Sequence, residues 1–346
     1  MAVQQIDIEQ FLQLAEEHPV FDVRSPSEYG HAHIPGALPL PLFSDDERRE
    51  VGTTYKQRSR EAAIKIGLDY FGIKMRQMVC LVEDILHHKG TNTVLLHCWR
   101  GGMRSGAVSW LLDMYGFRVF SLRGGYKKYR NWVLDQFSRP YSLRILSGFT
   151  GSGKTEILLE MARLGVPTVD LEGLAGHRGS AFGALGMPPQ PTVEQFENKL
   201  AQELYTISRE HPGKTIWLES ESNRIGCVNI FHTFFNQMKA APRIHTEVSH
   251  EARLGYITAG YGQFSTEKLK DAVLRIQKRL GGLETKNALA HLDAGCIRDA
   301  FDILLKYYDK FYASGGIYQP AIMTIELPGT NAYENARLIL QKTKDL

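Results

Sequence analysis

The chain carries only four cysteines in 346 residues, Cys80, Cys98, Cys227 and Cys296, and no two of them form a Cys-x-x-Cys pair. A structural zinc site or a disulfide framework is therefore not expected, and a reducing compartment is. Nowhere do apolar residues run to the roughly 20 needed to cross a bilayer. The N-terminus lacks the basic start and apolar block of a secretory signal, so the expected location is the cytoplasm, with no membrane partner. No internal repeat or low-complexity stretch interrupts the chain. One-sided charge is missing too: 41 basic against 38 acidic residues leave a net charge of +3. That permits a nucleic-acid partner without arguing for one, so any RNA contact must come from local clusters. What remains, 43% hydrophobic and 23% charged, is ordinary for a globular protein long enough for two cores.

Cys98 is the most informative residue. It ends the apolar run Thr93-Val94-Leu95-Leu96 and opens His97-Cys98-Trp99-Arg100-Gly101-Gly102-Met103-Arg104-Ser105. This reads as a thiol at the tip of a buried strand, followed by a glycine-rich turn and a helix start. Turn amides and the positive end of a helix dipole stabilise anions. Such surroundings lower a cysteine pKa from roughly 8.5 to roughly 3.5–7.5. A lone cysteine after a strand is ordinarily core filler. Here Gly101-Gly102, the two arginines and Ser105 turn the reading toward a nucleophile in an anion cradle, with Cys98, Arg100 and Arg104 as the catalytic group.

The first half, residues 1–138, alternates short strands with helical stretches, as an α/β domain does. Ser25-Pro26-Ser27-Glu28 is a helix entry, with Ser25 as N-cap, Pro26 at the first helical position and Glu28 closing a capping box. Gly116 is placed to end the helix after Cys98. Asp22-Val23-Arg24, His33-Ile34-Pro35-Gly36-Ala37, the Cys98 loop and Leu122-Arg123-Gly124-Gly125-Tyr126 stand in the order seen in rhodanese-like domains, which this half resembles. Such domains carry a chalcogen on the cysteine. By that resemblance Asp22 and Arg24 are structural, ion-paired near the loop. Five residues separate Cys98 from Arg104, one more than in the usual thiosulfate-type loop. His97-Cys98-x5-Arg104 also satisfies the phosphatase signature. The extra room suits a tetrahedral phosphate-like group, either a phosphorylated chalcogen donor or a phosphoester.

After Arg139-Pro140, residues 139–346 read as a P-loop NTPase-like α/β domain with a helical C-terminal part. The strand Leu143-Arg144-Ile145-Leu146-Ser147 runs into Gly148-Phe149-Thr150-Gly151-Ser152-Gly153-Lys154-Thr155, a complete G-x-x-x-x-G-K-[ST] before a helical stretch. Backbone amides of Gly148, Thr150, Gly151, Ser152 and Gly153 can wrap phosphates, Lys154 reaches their oxygens, and Thr155 can ligate Mg²⁺. The motif recognises a di- or triphosphate, and no base-recognition motif accompanies it. Asp170, Glu219 and Glu221 are candidate carboxylates for a metal that travels with the phosphates. No tightly bound metal or cofactor is expected. The glycine-dense segment 170–183, with His177 and Arg178, reads as an exposed loop that closes over an anion. Thr192 caps a helix whose Phe196, Leu200, Leu204 and Ile207 form a core face. Lys268, Arg275 and Arg279 share a face of a helix over 265–280. Lys127, Lys128 and Arg130 alternate with Tyr126 and Tyr129. These are the two candidate contacts for a nucleic-acid backbone. A strand over 322–327 and a helix over 331–342 close the second sheet.

A rhodanese-like half followed by a P-loop half, with Val51-Gly52-Thr53-Thr54-Tyr55-Lys56-Gln57, the segment 170–183 and Leu218-Glu219-Ser220-Glu221-Ser222-Asn223-Arg224-Ile225-Gly226, resembles the tRNA 2-selenouridine synthases. The resemblance runs from about Phe21 to the C-terminus. It implies a transferase that replaces sulfur by selenium at C2 of wobble 2-thiouridine in tRNA. The implied donor is selenophosphate, with an S-geranylated base made from geranyl diphosphate as intermediate. It also implies selenium carried as a perselenide on Cys98, with the P-loop holding the diphosphate of geranyl diphosphate. The rival enzymatic reading is a rhodanese-fold phosphatase or arsenate-reductase-like activity of the His97-Cys98-x5-Arg104 loop. A scaffold that binds RNA or nucleotide through an inert thiol is the non-enzymatic one.

Overall fold

The computed structural model describes residues 3–314 and 319–346; Met1 and Ala2, which begin the segment read against a secretory signal, lie outside them. The chain divides into two units, Met1–Gln136 and Phe137–Leu346. The division falls ahead of Arg139-Pro140 because Phe137 packs on Phe231 and Phe234 of the second unit.

The first unit runs β1 (Gln4–Ile6), α1 (Ile8–Leu14), β2 (Val20–Asp22), α2 (Pro26–His31), β3 (Leu38–Pro39), α3 (Asp45–Gln57), α4 (Arg60–Lys89), β4 (Thr93–His97), α5 (Met103–Tyr115), β5 (Arg118–Leu122) and α6 (Gly125–Gln136). Its five strands pair in parallel in the order β1-β5-β4-β2-β3. β4 is central and every one of its residues is buried, as a strand covered by helices on both faces must be. Cys98 therefore leaves the sheet at the carboxyl end of its middle strand, where α/β folds place their sites. The Ser25–Glu28 capping box forms at α2, and Gly116 ends α5 with φ 113°. The sequence reading passed from Leu40 to Cys98 and missed α3 and α4. Their start signals are present: Ser44 and Ser59 cap them, and Glu47 closes a box on Ser44. The stripe of α4 is blurred because Ile64, Leu68 and Ile73 stay exposed beside buried Ala63, Gly67 and Phe71.

The second unit runs β6 (Leu143–Gly148), α7 (Lys154–Arg163), β7 (Thr168–Val169), α8 (Leu171–Ala175), α9 (Val193–Glu210), β8 (Ile216–Glu219), β9 (Arg224–Ile225), β10 (Val228–Asn229), α10 (His232–Ala240), β11 (Arg243–Glu247), α11 (His250–Tyr261), α12 (Thr266–Leu280), α13 (Gly282–Asp293), α14 (Ile297–Ser314), β12 (Ala321–Glu326) and α15 (Ala332–Lys342). Its main sheet is parallel in the order β12-β11-β6-β8-β7, so the P-loop strand is again central. A small antiparallel β9–β10 pair and strand β11, between β6 and β12, were not anticipated. α11, α12, α13 and α14 form the expected helical part, with a core that includes Leu254, Leu269, Val273, Leu292 and Leu305. The segment 170–183 is not an open loop. It forms α8 and a series of turns, and buried Phe182 anchors it against Phe301 and Tyr261.

Candidate active sites

The turn after β4 curls its backbone around the Cys98 sulfur. The Gly102 N–H points at Sγ from 3.4 Å, and the Ser105 hydroxyl lies 3.2 Å from it. Burial pushes the thiol pKa up. The Ser105 hydroxyl and the amides of Ser105, Gly102 and Arg100 outweigh it, so the thiol titrates below its ordinary value of 9.0. The turn amides thus act as expected, joined by the Ser105 hydroxyl, while the two guanidinium groups expected beside them do not contribute. Arg100 supplies its N–H to this cradle while its side chain is exposed. Arg104 is turned toward Glu28, which accepts from it at 2.6 Å.

The loop is fixed from below. Tyr126 donates its amide to Cys98 O at 2.8 Å, and Lys127 donates its amide to Trp99 O at 2.9 Å. A Cβ on Gly125, at φ 59°, would sit 2.3 Å from Cys98 O and 2.5 Å from Gly101 N. Arg123-Gly124-Gly125-Tyr126 is therefore the seat on which the cysteine loop rests. Arg24 stacks 3.8 Å over the Tyr126 ring, pairs with Asp22 at 2.6 Å and donates to Ala32 O. This pair is buried and structural, as expected. His97 is fully buried against Tyr126 and Phe11. Desolvation drops its pKa to about 4 despite Asp22 at 3.7 Å, so it is a neutral packing residue.

The second site lies in the other unit. Gly148 has Thr246 Oγ1 and Ser152 Oγ where a Cβ would be, and Gly151 and Gly153 hold φ of 80° and 75°. Arg253 steadies the loop by donating to Thr150 O at 3.1 Å while Asp309 accepts from both its terminal nitrogens. Lys154 Nζ donates to Gly148 O, and Thr155 donates its hydroxyl to Glu172 Oε2 at 2.8 Å. The Glu172 amide in turn donates to Glu219 Oε1 at 2.9 Å, leaving Glu219 Oε2 buried without a partner.

Around Lys154 and Thr155 the fold gathers Asp170, Glu172, Glu203, Glu219 and Glu221. Burial raises all five; repulsion from Asp170 adds to it at Glu172, Glu203 and Glu219, and repulsion from Glu172 adds to it at Glu219 and Glu221. Glu219 is pushed well above the carboxylate range, Glu203 to about 7 and Glu221 to about 8. The orphaned Glu219 oxygen and the Thr155 hydroxyl, each tied to Glu172, are hard-oxygen donors of the kind Mg²⁺ takes. Thr155, Glu219 and Glu221 are the residues that would hold the ion. Asp170 serves first as the N-cap of α8.

His177 and Arg178 follow directly on α8. Arg178 meets Tyr261, Glu156 and Tyr256, and a Cβ on the next residue, Gly179, would strike Glu221. The His177 Nδ1 is buried without a partner, with burial first and nearby Arg275 second in keeping the ring neutral. Lys268, Arg275 and Arg279 are exposed on α12, and Arg275 reaches Ala181 O. Lys127 and Lys128 are exposed on α6, but Tyr126 and Tyr129, which alternate with them, are fully buried core residues. Ser105, singled out in the sequence, does meet the sulfur, whereas sequence reasoning missed the contact of Glu28 with Arg104 and missed Glu172, Glu203 and Arg253. Only Glu28 announced itself locally, through its capping box.

Comparison with known proteins matches both halves. The rhodanese-like domain family covers residues 7–131, and the tRNA 2-selenouridine synthase AAA domain covers 141–317. The tRNA 2-selenouridine synthase of Shewanella sediminis is 36% identical over 330 residues, spanning 85% of this chain and 87% of its own. Those of Hydrogenovibrio crunogenus and Bdellovibrio bacteriovorus are 34% and 33% identical over 325 residues, with 88% and 84% of their lengths covered. This chain belongs to the tRNA 2-selenouridine synthase family. As a tRNA 2-selenouridine synthase family member it is an enzyme of the transferase class, built from a rhodanese-like and a P-loop unit. A phosphatase reading of the Cys98 loop would leave residues 141–317 without a role.

Proposed function

We propose that the protein replaces sulfur by selenium at C2 of wobble 2-thiouridine in tRNA, with selenophosphate as donor and an S-geranylated base made from geranyl diphosphate as intermediate. The observation that carries this reading is the presence, in one chain, of a low-pKa thiol in an anion-binding turn and a complete phosphate loop.

At the P-loop the thione sulfur attacks C1 of geranyl diphosphate. The C1–O bond breaks, pyrophosphate leaves with the bonding pair, and the base loses its N3 proton. Lys154 and the amides of residues 148–155 stabilise the charge that develops on the leaving group. Mg²⁺, when bound, would neutralise further diphosphate charge.

Selenophosphate then adds through selenium at C2, and geranyl thiolate departs with the C2–S pair. A phosphoryl group is left on the selenium. Cys98 attacks that phosphorus, the P–Se pair returns to selenium as the selenocarbonyl forms, and water clears the S-phosphocysteine. The Cys98 loop, with five residues between Cys98 and Arg104, has room for a tetrahedral group and suits this covalent step. A Cys98 perselenide is set aside on electron balance: drawing selenium from selenophosphate onto a thiolate would leave the bonding pair on phosphorus and release phosphite, and phosphate as product would demand a two-electron oxidant.

Lys268, Arg275 and Arg279, with Lys127, Lys128 and Arg130, supply the phosphate contacts for tRNA in this reading. The test is reconstitution with purified protein, 2-thiouridine tRNA, selenophosphate and geranyl diphosphate. Selenouridine should form only when geranyl diphosphate is present. Equal yield without it would remove the thioether step.

A further inference from the structure

Helices α3 and α4 add no strand to the first sheet and no residue to the Cys98 loop. They do wall a cavity of about 520 Å³ against the first turns of α5. That size lies within the roughly 300–1,000 Å³ typical of small-molecule sites. Phe43, Val51, Ile64, Leu68, Phe71 and Met103 line it. Leu68 and Met103 are 57% and 53% exposed, an unfavourable display of apolar surface unless something covers it. Basic side chains of Arg48, Arg49, Lys56 and Arg104 share the lining. Arg104 belongs to the Cys98 turn, and the Glu28 carboxylate that holds it at 2.6 Å also lies 3.5 Å from Arg48. The chamber is apolar inside, basic along part of its lining, and shares Arg104 with the Cys98-x5-Arg104 motif.

We propose that this cavity holds the ten-carbon prenyl chain while the Cys98 site works on the base that carries it. The proposal rests on the thioether route above and names the place that route lacks. Apolar walls take the branched chain; the basic side chains take phosphate, whether from the RNA backbone beside the base or from the diphosphate of the free donor. Seating the chain here holds the C2–S bond in reach of incoming selenium. When that bond breaks, its electron pair goes to sulfur, and the prenyl thiolate is left in apolar surroundings until solvent protonates it. No cavity residue forms or breaks a bond.

Two photoactivatable probes test this on the full chain. Each carries a diazirine in a ten-carbon chain, one as the free diphosphate and one on the wobble sulfur of an anticodon stem-loop RNA. The RNA probe should label residues 51–71, and labelling should fall at least about tenfold in Gly52→Leu. Leucine there enters open space, since a Cβ on Gly52 meets nothing within 4 Å, and it favours helix over glycine. Labelling of the same residues by the diphosphate as well identifies the donor as a second source, whereas labelling by the diphosphate alone overturns the placement of the RNA-borne chain. Competable labelling by both probes confined to residues 137–346 overturns the cavity assignment and leaves the thioether route standing. No competable labelling by either probe overturns the thioether route itself.

Discussion

Glu28 accepts a hydrogen bond from Arg104 at 2.6 Å, and the same carboxylate oxygen accepts the Ser25 amide at 3.1 Å, so one side chain both starts α2 and aims the arginine of the cysteine loop. Burial works against its charge, and Arg104, Ser25 and Arg48 overcome this, holding its pKa below the ordinary 4.5. A depressed carboxylate stabilises the fold above its unfolded pKa and loses that contribution only as pH falls through the folded value. The clamp therefore persists at neutral pH. Glu28→Gln should lower kcat/KM for selenium transfer by roughly ten- to a hundredfold, in line with a charged hydrogen bond worth ~1.5–3 kcal/mol. Geranylation should be spared. An equal loss in both steps would make Glu28 a merely structural residue.

The second prediction concerns ionisation of the thiol. Ser105 supplies a hydroxyl dipole 3.2 Å from Cys98 Sγ. Iodoacetamide alkylation of Cys98, followed by peptide mass spectrometry, should have a midpoint below pH 9.0, and Ser105→Ala should move it upward. A hydrogen bond to a charged group corresponds to roughly one to two pH units. An unmoved midpoint would mean that the amides act alone.

The carboxylates around Thr155 give the opposite sign. Glu221 is raised from 4.5 to about 8 by burial and by Glu172. The folded state therefore holds a proton that the unfolded state has released, and stability should fall as pH rises from 4.5 through 8. Thermal melts of metal-free protein should show Tm declining between pH 6 and pH 9, and Glu221→Gln should flatten that slope. Adding Mg²⁺ with pyrophosphate in weak buffer near pH 7 should release protons. A pH-independent Tm would contradict the cluster as described.

Gly125 bears the closest approach in the first unit. Alanine there would force φ 59° on a non-glycine residue and place a Cβ 2.3 Å from Cys98 O. The left-handed conformation costs ~1–2 kcal/mol and the overpacking ~1–3 kcal/mol, so Gly125→Ala should destabilise by about 2–5 kcal/mol in urea unfolding. Pyrophosphate binding by the second unit should survive. Loss of less than about 1 kcal/mol would show that the turn can yield.

Both central strands, the caps at Ser25 and Thr192, and the two anion loops were legible because each depends on neighbours within a few residues. The rest depends on distance along the chain. Glu28 meets Arg104 across 76 positions and Glu172 meets Glu219 across 47. No local pattern encodes such pairs. Tyr126 and Tyr129 misled for the same reason: alternation with lysines looks like an RNA surface, whereas helical geometry turns both rings inward beneath Cys98. α3 and α4 escaped because a cavity-lining helix keeps apolar residues on more than one face.

The division of labour between the two loops is tested most directly by nucleoside mass spectrometry of tRNA treated with Cys98→Ser and Lys154→Ala, each given selenophosphate and geranyl diphosphate. Cys98→Ser should accumulate S-geranyl-2-thiouridine, or its Se-phosphorylated successor, and form no 2-selenouridine. Lys154→Ala should stop at 2-thiouridine. Wild-type yields of 2-selenouridine from Cys98→Ser, or geranylated base from Lys154→Ala at the wild-type rate, would contradict the account.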